Sequence, residues 1–409
     1  MVLPAPAQPS EPPSPPAKTW RGAGRRPKLL FLTTEDWYFC SHRLPVALAA
    51  RDAGLEVVVA ARVRDHAAAI SRHGFAVRPL DWRRRGDGPL GAARAIAAIT
   101  RLYRAERPDL VHHVALKPVL FGGLARRLAF AGAAGGPAIV DSVMGLGSGF
   151  SATDGAAWLR RPLLRLGLRL VLGGTGRVIV QNPEDGAALA GLGVDRRRIV
   201  LIRGSGVDTQ HFQPLPEPGG DTVRIALVSR MLRQKGVLEA AAAIRRLRAQ
   251  GLPVELLLAG PTDPDNAGSL DAAALAALAA EPGVAWLGSV ADVREVWRRA
   301  AIAVLPSSYG EGVPKALLEA AACARPIVAT DVPGCREVVR PGETGILVPV
   351  QDPSALAEAI AALAANAALR RRLGQAGRAL VEGTFAEEIV ARETLAIYLA
   401  LLAESASRR

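Results

Sequence analysis

Ser308-Tyr-Gly-Glu-Gly-Val-Pro-Lys-Ala-Leu-Leu-Glu319 is the stretch on which the reading of this chain turns. It follows a short aliphatic run, Ile302–Leu305, that ends at Pro306. Gly310 and Gly312 permit a tight turn with exposed backbone N–H groups. Pro314 suits the first turn of a helix, where its missing donor costs nothing. A strand, a glycine turn and a helix in that order aim the helix N-terminus and its free amides at whatever occupies the turn, which makes an anion site. Glu311 lies in the turn. Glu319 falls about two helical turns further on and on a similar face. Two carboxylates beside an anion-binding turn can accept hydrogen bonds from sugar and ribose hydroxyls. Alone, Glu319 reads equally well as a solvated helix residue; the strand and turn before it give the spacing its meaning.

The same grammar occurs upstream. Val228-Ser-Arg-Met-Leu-Arg-Gln-Lys-Gly236 follows the aliphatic run Val223–Val228 and leads into a helical pattern. Arg230 and Lys235, two cations at a strand–helix turn, would neutralise a diphosphate leaving group; the plain alternative is a pair of surface charges. Further strands are expected at Val254–Leu258, Val284–Leu287, Ile327–Ala329 and Ile346–Val348, with helices at Val237–Gln250 and Leu270–Ala280. The N-terminal half repeats the rhythm. Strands are expected at Leu29–Leu32, Leu55–Ala60, Asp109–His112, Ile139–Val140, Val178–Val180 and Ile199–Ile202, and helices at His42–Asp52 and Val119–Phe130. This alternation predicts an α/β fold with parallel sheets covered by helices.

A Gly- and Pro-rich stretch, Gly204–Gly220, separates the two series. The chain therefore divides into a Pro-rich tail over residues 1–27, a Rossmann-like N-terminal domain over 28–204 and a linker over 205–221. A second Rossmann-like domain follows over 222–385, and then an apolar helical segment over 386–409, long enough to pack across both. Such sheets would face each other across a cleft, with the carboxyl ends of their strands toward it, where nucleotides bind.

Together these motifs resemble the retaining GT-B glycosyltransferases of family 4 (glycosyl transferases group 1). The resemblance covers most of residues 28–400, and Arg325-Pro-Ile-Val-Ala-Thr-Asp331, Pro333-Gly-Cys-Arg-Glu337 and Gly342-Glu-Thr-Gly345 add to it. It implies that Arg230 and Lys235 hold a donor diphosphate. Glu311 would lie near the sugar and Glu319 at the ribose, with Gly310, Gly312, Val313 and Val290 also at the nucleotide. The N-terminal domain departs from the commonest pattern of that family, carrying Thr34-Glu-Asp-Trp-Tyr-Phe-Cys-Ser-His-Arg-Leu-Pro45 where many relatives have a Gly-Gly turn. That stretch and His112-His113-Val-Ala-Leu-Lys-Pro118 resemble the subgroup acting on bacterial surface polysaccharides and lipid-linked oligosaccharides. Either His112 or His113 would then approach the reacting sugar, though each is also readable as a packed strand residue. The Gly-rich loop Ser142–Phe150 would border the acceptor. The implied reaction takes a nucleoside-diphosphate sugar, UDP favoured over GDP, and a lipid-linked or oligosaccharide acceptor, with no metal and no other cofactor. A nucleotide-sugar epimerase or an inverting transferase on the same fold is not expected to carry both residue pairs.

The composition narrows the setting. Of 409 residues, 50% are hydrophobic and 22% charged, enough to bury sizeable cores. Cys40, Cys323 and Cys335 form no C-x-x-C pair, so neither a disulfide framework nor a zinc site is expected, and a reducing cytoplasm fits. Asp263-Pro-Asp265 has the spacing of a metal site, but Pro264 and Asn266-Ala-Gly268 read as a turn. The net charge of +13 is carried by one half of the chain: residues 1–200 hold 29 Lys+Arg against 15 Asp+Glu, and the remainder 22 against 23. A basic half suits an anionic partner, unless it only reflects an Arg-rich composition. Helix-turn-helix, zinc-finger and aromatic RNA-binding signatures are missing, so nucleic acid is not expected. No apolar run reaches the ~18 residues that span a bilayer, and the Pro-rich tail lacks the apolar core of a signal peptide. In Trp158-Leu-Arg-Arg-Pro-Leu-Leu-Arg-Leu-Gly-Leu-Arg-Leu-Val-Leu172, Leu159, Leu163, Leu166 and Leu170 form one stripe. Arg161, Arg165 and Arg169 repeat opposite, interleaved with Leu164 and Leu168. Apolar and basic groups on one exposed face suit an anionic membrane surface, which predicts a cytoplasmic protein held peripherally at the inner face of the cytoplasmic membrane. A core helix whose arginines reach outward would give the same pattern.

Overall fold

In β1 (Lys28–Glu35), Leu29 and Phe31 face one apolar cluster while Leu30 and Leu32 face another, and all four are fully buried. A strand whose successive side chains both enter a core belongs in the middle of a sheet covered on two faces. The computed structural model, which describes residues 25–82, 88–131, 136–145, 157–174 and 176–407, places it there. Around β1 lie β2 (Glu56–Arg62), β3 (Ala76–Pro79), β4 (Leu110–Val114), β5 (Ala138–Val143), β6 (Arg177–Val180) and β7 (Ile199–Leu201). They form one parallel sheet in the order β3-β2-β1-β4-β5-β6-β7. The second sheet is built from β8 (Val223–Val228), β9 (Val254–Ala259), β10 (Val284–Trp286), β11 (Ile302–Leu305), β12 (Ile327–Thr330) and β13 (Gly345–Val348). Its order is β10-β9-β8-β11-β12-β13, again all parallel. The strand order reverses direction at β1/β4 in the first sheet and at β8/β11 in the second. Crevices at the carboxyl ends of such strands are where ligands bind in open α/β sheets.

Some elements differ from expectation. The single helix expected over His42–Asp52 is two, Asp36–His42 and Leu44–Asp52, broken at Arg43 because Pro45 opens the second. The first is fixed by Asp36, which is fully buried and accepts hydrogen bonds from the backbone amides of Trp37, Arg64 and His66. The Ala- and Arg-rich helix Gly88–Glu106 and the short edge strand β3 were not among the expected elements. The helix Glu387–Ala406 does not straddle the two domains. It returns to the N-terminal sheet, where Val390, Ala391, Tyr398, Leu401 and Leu402 join the cluster that holds Leu29 and Phe31. The two crossings between domains touch: Val207 N–H donates to the Phe385 carbonyl at 2.9 Å, and Glu387 N–H donates to the Val207 carbonyl at 3.0 Å.

The Leu/Arg helix spans Ala157–Leu172 and is turned the other way from the expected stripe. Leu168 and Leu172 are fully buried with Val171 nearly so, and Leu164 is half-buried against the same cluster. Leu166 and Leu170, 65% and 46% exposed, stand on the outside with Arg165 and Arg169. Close packing sets this rotation. Gly123, on the helix Leu116–Ala129, lies where a Cβ would meet the Val171 Cβ at 2.7 Å, so only the 168–171–172 face can seat there. The side chains of Leu159, Arg161 and Leu163 lie outside the described residues, as do residues 146–150 of the Gly-rich loop and most of the Pro-rich tail.

Candidate active site

Between the sheets, at the carboxyl ends of β4, β8 and β11, lies a cleft of about 480 Å³. Its C-terminal wall is made by the two turns singled out in the sequence. The first turn ends at Gly236, whose left-handed φ of 75° carries the chain back over the end of β11. A Cβ there would meet the Pro306 carbonyl oxygen at 2.1 Å. That approach lets Ser308 N–H donate to the Gln234 carbonyl at 2.9 Å, which joins the two turns and places Lys235 beside Glu311. Lys235 Nζ forms an ion pair with one Glu311 oxygen, and Ser307 Oγ donates to the other. Burial works against the charge on Lys235, but the Glu311 carboxylate more than offsets it, and the ammonium titrates above its ordinary range. Arg230 forms an ion pair with Asp263.

The glycine turn also meets the other domain. Val313 N–H donates to Gln181 Oε1 at 3.0 Å, and a Cβ on Gly312 would meet that oxygen at 2.1 Å. Lys315, the first residue of the helix Lys315–Ala322, donates from Nζ to the Ser41 carbonyl. Glu319 sits one turn deeper in that helix, half-buried. Burial pushes its carboxyl up to about 7, with Lys315 pulling the other way.

Of the residues expected here, Arg230, Lys235, Glu311, Gly310, Gly312 and Val313 line the cleft. Glu319 and Val290 are not among the residues lining it; Glu319 lies behind that wall, and Val290 packs half-buried against the apolar cluster that also holds Val313. The two histidines are a correction, since neither reaches the cleft. His112 is fully buried, with Nδ1 on the Tyr398 hydroxyl and Nε2 on Ser142 Oγ at 2.7 Å. His113 is also fully buried, with Nδ1 on Asp141 at 2.6 Å and Nε2 on the Tyr103 hydroxyl at 2.9 Å. All four ring nitrogens are occupied, and burial drives His112 well below its ordinary pKa. The cause is strand length. β4 continues to Val114, and the backbone turns only at Ala115, with φ 79°, so Ala115 and Leu116 face the cleft instead.

The N-terminal wall is lined by Tyr38 and His42 from the stretch 34–45, by Met144 from the Gly-rich loop 142–150 that was expected to border the acceptor, and by Gln181, which the sequence did not single out. His42 stacks on Tyr38 at 4.1 Å between centroids. Burial, with Lys315, Arg43 and Arg230 nearby, lowers its pKa to about 3, so it is a neutral imidazole at ordinary pH. The available signal was position, since His42 ends the helix that follows β1. Asp263 and Asp265 are engaged by arginines, the latter by Arg62 and by Arg64 at 2.7 Å from the opposite domain. Among the described residues no group of three His, Cys, Asp or Glu is placed to hold a metal ion.

Two cations, the Glu311 carboxylate and a helix start beside a glycine turn, with Glu319 one helical turn behind, are groups that could hold a diphosphate carrying hydroxylated rings. Residues 28–182 match the family described as Glycosyl transferase 4-like, and residues 222–366 match Glycosyl transferases group 1. EpsD of Bacillus subtilis (strain 168), named as a glycosyltransferase, is 30% identical over 370 residues, covering 86% of this chain and 91% of that protein. The chain belongs to the GT-B glycosyltransferases. Within that family it is 35% identical to the alpha-maltose-1-phosphate synthase of Mycolicibacterium smegmatis, over 50% of this chain but only 57% of the synthase. It is 25% identical, over 87% of this chain and 94% of the relative, to the Campylobacter jejuni N,N'-diacetylbacillosaminyl-diphospho-undecaprenol alpha-1,3-N-acetylgalactosaminyltransferase. The fold matches sucrose-phosphate synthase from Thermosynechococcus elongatus at TM-score 0.76, with 23% identity over 93% of this chain and 100% of that one. It matches Anabaena Alr3699/HepE, in complex with UDP and glucose, at TM-score 0.71, with 18% identity over 92% and 100%.

Proposed function

We propose that this glycosyltransferase moves a sugar, with retention of anomeric configuration, from a nucleoside-diphosphate sugar to a lipid-linked saccharide acceptor in the assembly of a bacterial surface glycan. The observation that carries the reading is the joined pair of turns at the ends of β8 and β11, which brings Arg230, Lys235, Glu311 and a helix start to one wall of the cleft. In this reading the donor diphosphate takes Arg230 over from Asp263 and lies against the amides near Gly312. Arg230 and Lys235 stabilise the charge that grows on the leaving diphosphate. The acceptor enters along Tyr38, His42 and Met144 and attacks on the face the diphosphate leaves, its hydroxyl proton passing to the departing phosphate oxygen. Fixed cations serve where other enzymes use Mg²⁺, and no cofactor is required.

UDP is favoured as the nucleotide, in keeping with the UDP complex of the Anabaena neighbour. A lipid-linked acceptor is favoured by the name of the Campylobacter relative and by the outward Arg165, Leu166, Arg169 and Leu170. That face would rest on the inner surface of the cytoplasmic membrane; no described helix is long and apolar enough to cross it. The test is incubation with a panel of radiolabelled nucleotide sugars and a bacterial membrane extract, followed by NMR of the product's anomeric proton. Label transferred from a UDP-sugar with retained configuration is the expected result. An inverted product, or no transfer from any donor in the panel, overturns the reading.

A further inference from the structure

Arg43 ends the helix Asp36–His42 and is 3% exposed. A guanidinium so deep is costly unless an anion or a full set of acceptors holds it. Among the described residues no carboxylate pairs with it. Burial lowers its pKa, and among the described residues the Tyr38 and Tyr398 hydroxyls are the groups that oppose that shift. Nη2 donates to the Met144 sulfur at 2.6 Å, a weak acceptor, and Nε has no partner. Its neighbour His42, on the cleft wall, feels the positive charges of Lys315, Arg43 and Arg230.

Part of the cover over Arg43 is the cleft wall. Tyr38, His42 and Met144 all line the cleft, and Met144 touches the guanidinium directly. Methionine is unbranched and rotates readily, so the thioether is a cover that can move aside. The donor cations Arg230 and Lys235 stand on the opposite wall, and each already has its own carboxylate in Asp263 and Glu311. Arg43 is thus a buried cation behind the N-terminal wall, separated from the cleft by the Met144 side chain.

We propose that Arg43 is an anion-binding residue on the acceptor side, taking an oxyanion of the acceptor, a phosphate or a carboxylate, once the Met144 side chain swings away. The planar guanidinium offers two parallel donors to either group. The proposal rests on the glycosyltransfer reading only for what the anion is attached to.

The experiment is calorimetric titration of the full chain, saturated with UDP so that the donor cations are occupied. Inorganic pyrophosphate represents a lipid diphosphate, sodium glucuronate an acidic sugar, and glucose is the neutral control. The wild type is expected to bind pyrophosphate or glucuronate saturably, whichever matches its acceptor, and glucose not at all. Arg43→Met should lose at least tenfold in that affinity while binding UDP as the wild type does, and Met144→Ala should bind the anion more tightly. In thermal unfolding without anion, Arg43→Met should melt no lower than the wild type, since it removes an unpaired charge; a purely structural arginine would lower the midpoint. Absence of any anion binding by UDP-saturated wild type overturns the proposal. So does unchanged binding by Arg43→Met, or no gain in Met144→Ala. Failure of the wild type to bind UDP sinks the glycosyltransfer reading instead, and the anion titration then stands by itself on the unliganded protein.

Discussion

Glu319→Gln should make the protein more stable and a poorer nucleotide binder at once, and the size of the first effect follows from the helix it sits in. Burial raises the carboxyl from 4.5 to about 7, with only Lys315 opposing it. A raised folded-state pKa means that the native protein holds the proton more tightly than the unfolded chain. The associated stability is complete below pH 4.5 and is lost as the pH climbs through 7. The full loss is about 3 kcal/mol above both values, an upper figure because the side chain keeps some contact with water. Glutamine cannot titrate. Urea unfolding between pH 4 and 8.5 should therefore give nearly equal stabilities at the acid end, and a gap in favour of Glu319→Gln that opens between pH 4.5 and 7. In the proposed reading ribose hydroxyls reach past the wall to donate to this carboxylate and hold it ionised, so UDP should bind the variant at least tenfold more weakly, the scale of a charge-assisted hydrogen bond lost. UDP binding to the wild type near pH 6 should also release protons, visible as a dependence of the calorimetric heat on buffer ionisation enthalpy. A stability difference that does not change with pH, or a wild type that is the more stable at pH 8, would refute the reasoning.

Arg230→Ala and Lys235→Ala should each lower kcat by about 10²-fold or more, the scale of a lost transition-state charge partner; near-normal turnover in both would remove them from the diphosphate. Activity should survive excess EDTA. Its abolition with rescue by Mn²⁺ would point to Asp263 and Asp265 as metal ligands released from their arginines. Replacing Arg165 and Arg169 by Gln should weaken sedimentation with anionic liposomes by roughly 30-fold, about 1 kcal/mol for each basic residue at the surface, and leave donor hydrolysis in solution intact. Wild-type binding insensitive to both salt and lipid charge would sink the membrane docking.

The C-terminal domain was the more legible half because its chemistry is local. Arg230 and Lys235 share one turn, Glu311 and Glu319 share one turn and helix, and a strand precedes each pair, so spacing sets each pair and only the approach of Gly236 to Pro306, which joins the two turns, had to come from the fold. The N-terminal wall is assembled from distant pieces. His42 and Gln181 lie 139 positions apart and meet only across the sheet order β1-β4-β5-β6. His112 and His113 misled because polarity in a strand normally marks a surface or a site. Here Tyr398, Ser142, Asp141 and Tyr103 satisfy both rings inside the core, and Tyr398 comes from the far end of the chain. The Leu/Arg helix was read with the wrong face outward for a related reason. Its leucines are nearly evenly distributed, and a glycine on a neighbouring helix decides which of them face the core.

The return of Glu387–Ala406 to the first sheet ties the order of synthesis to the order of assembly. The core around Leu29 and Phe31 lacks Tyr398, Leu401 and Leu402 until the whole second domain has left the ribosome. During that interval the nascent first domain exposes a strip of apolar surface and leaves the Nδ1 of His112 without the Tyr398 hydroxyl. Such a strip is what a chaperone binds, so newly made chains should depend on one until the final helix emerges and docks.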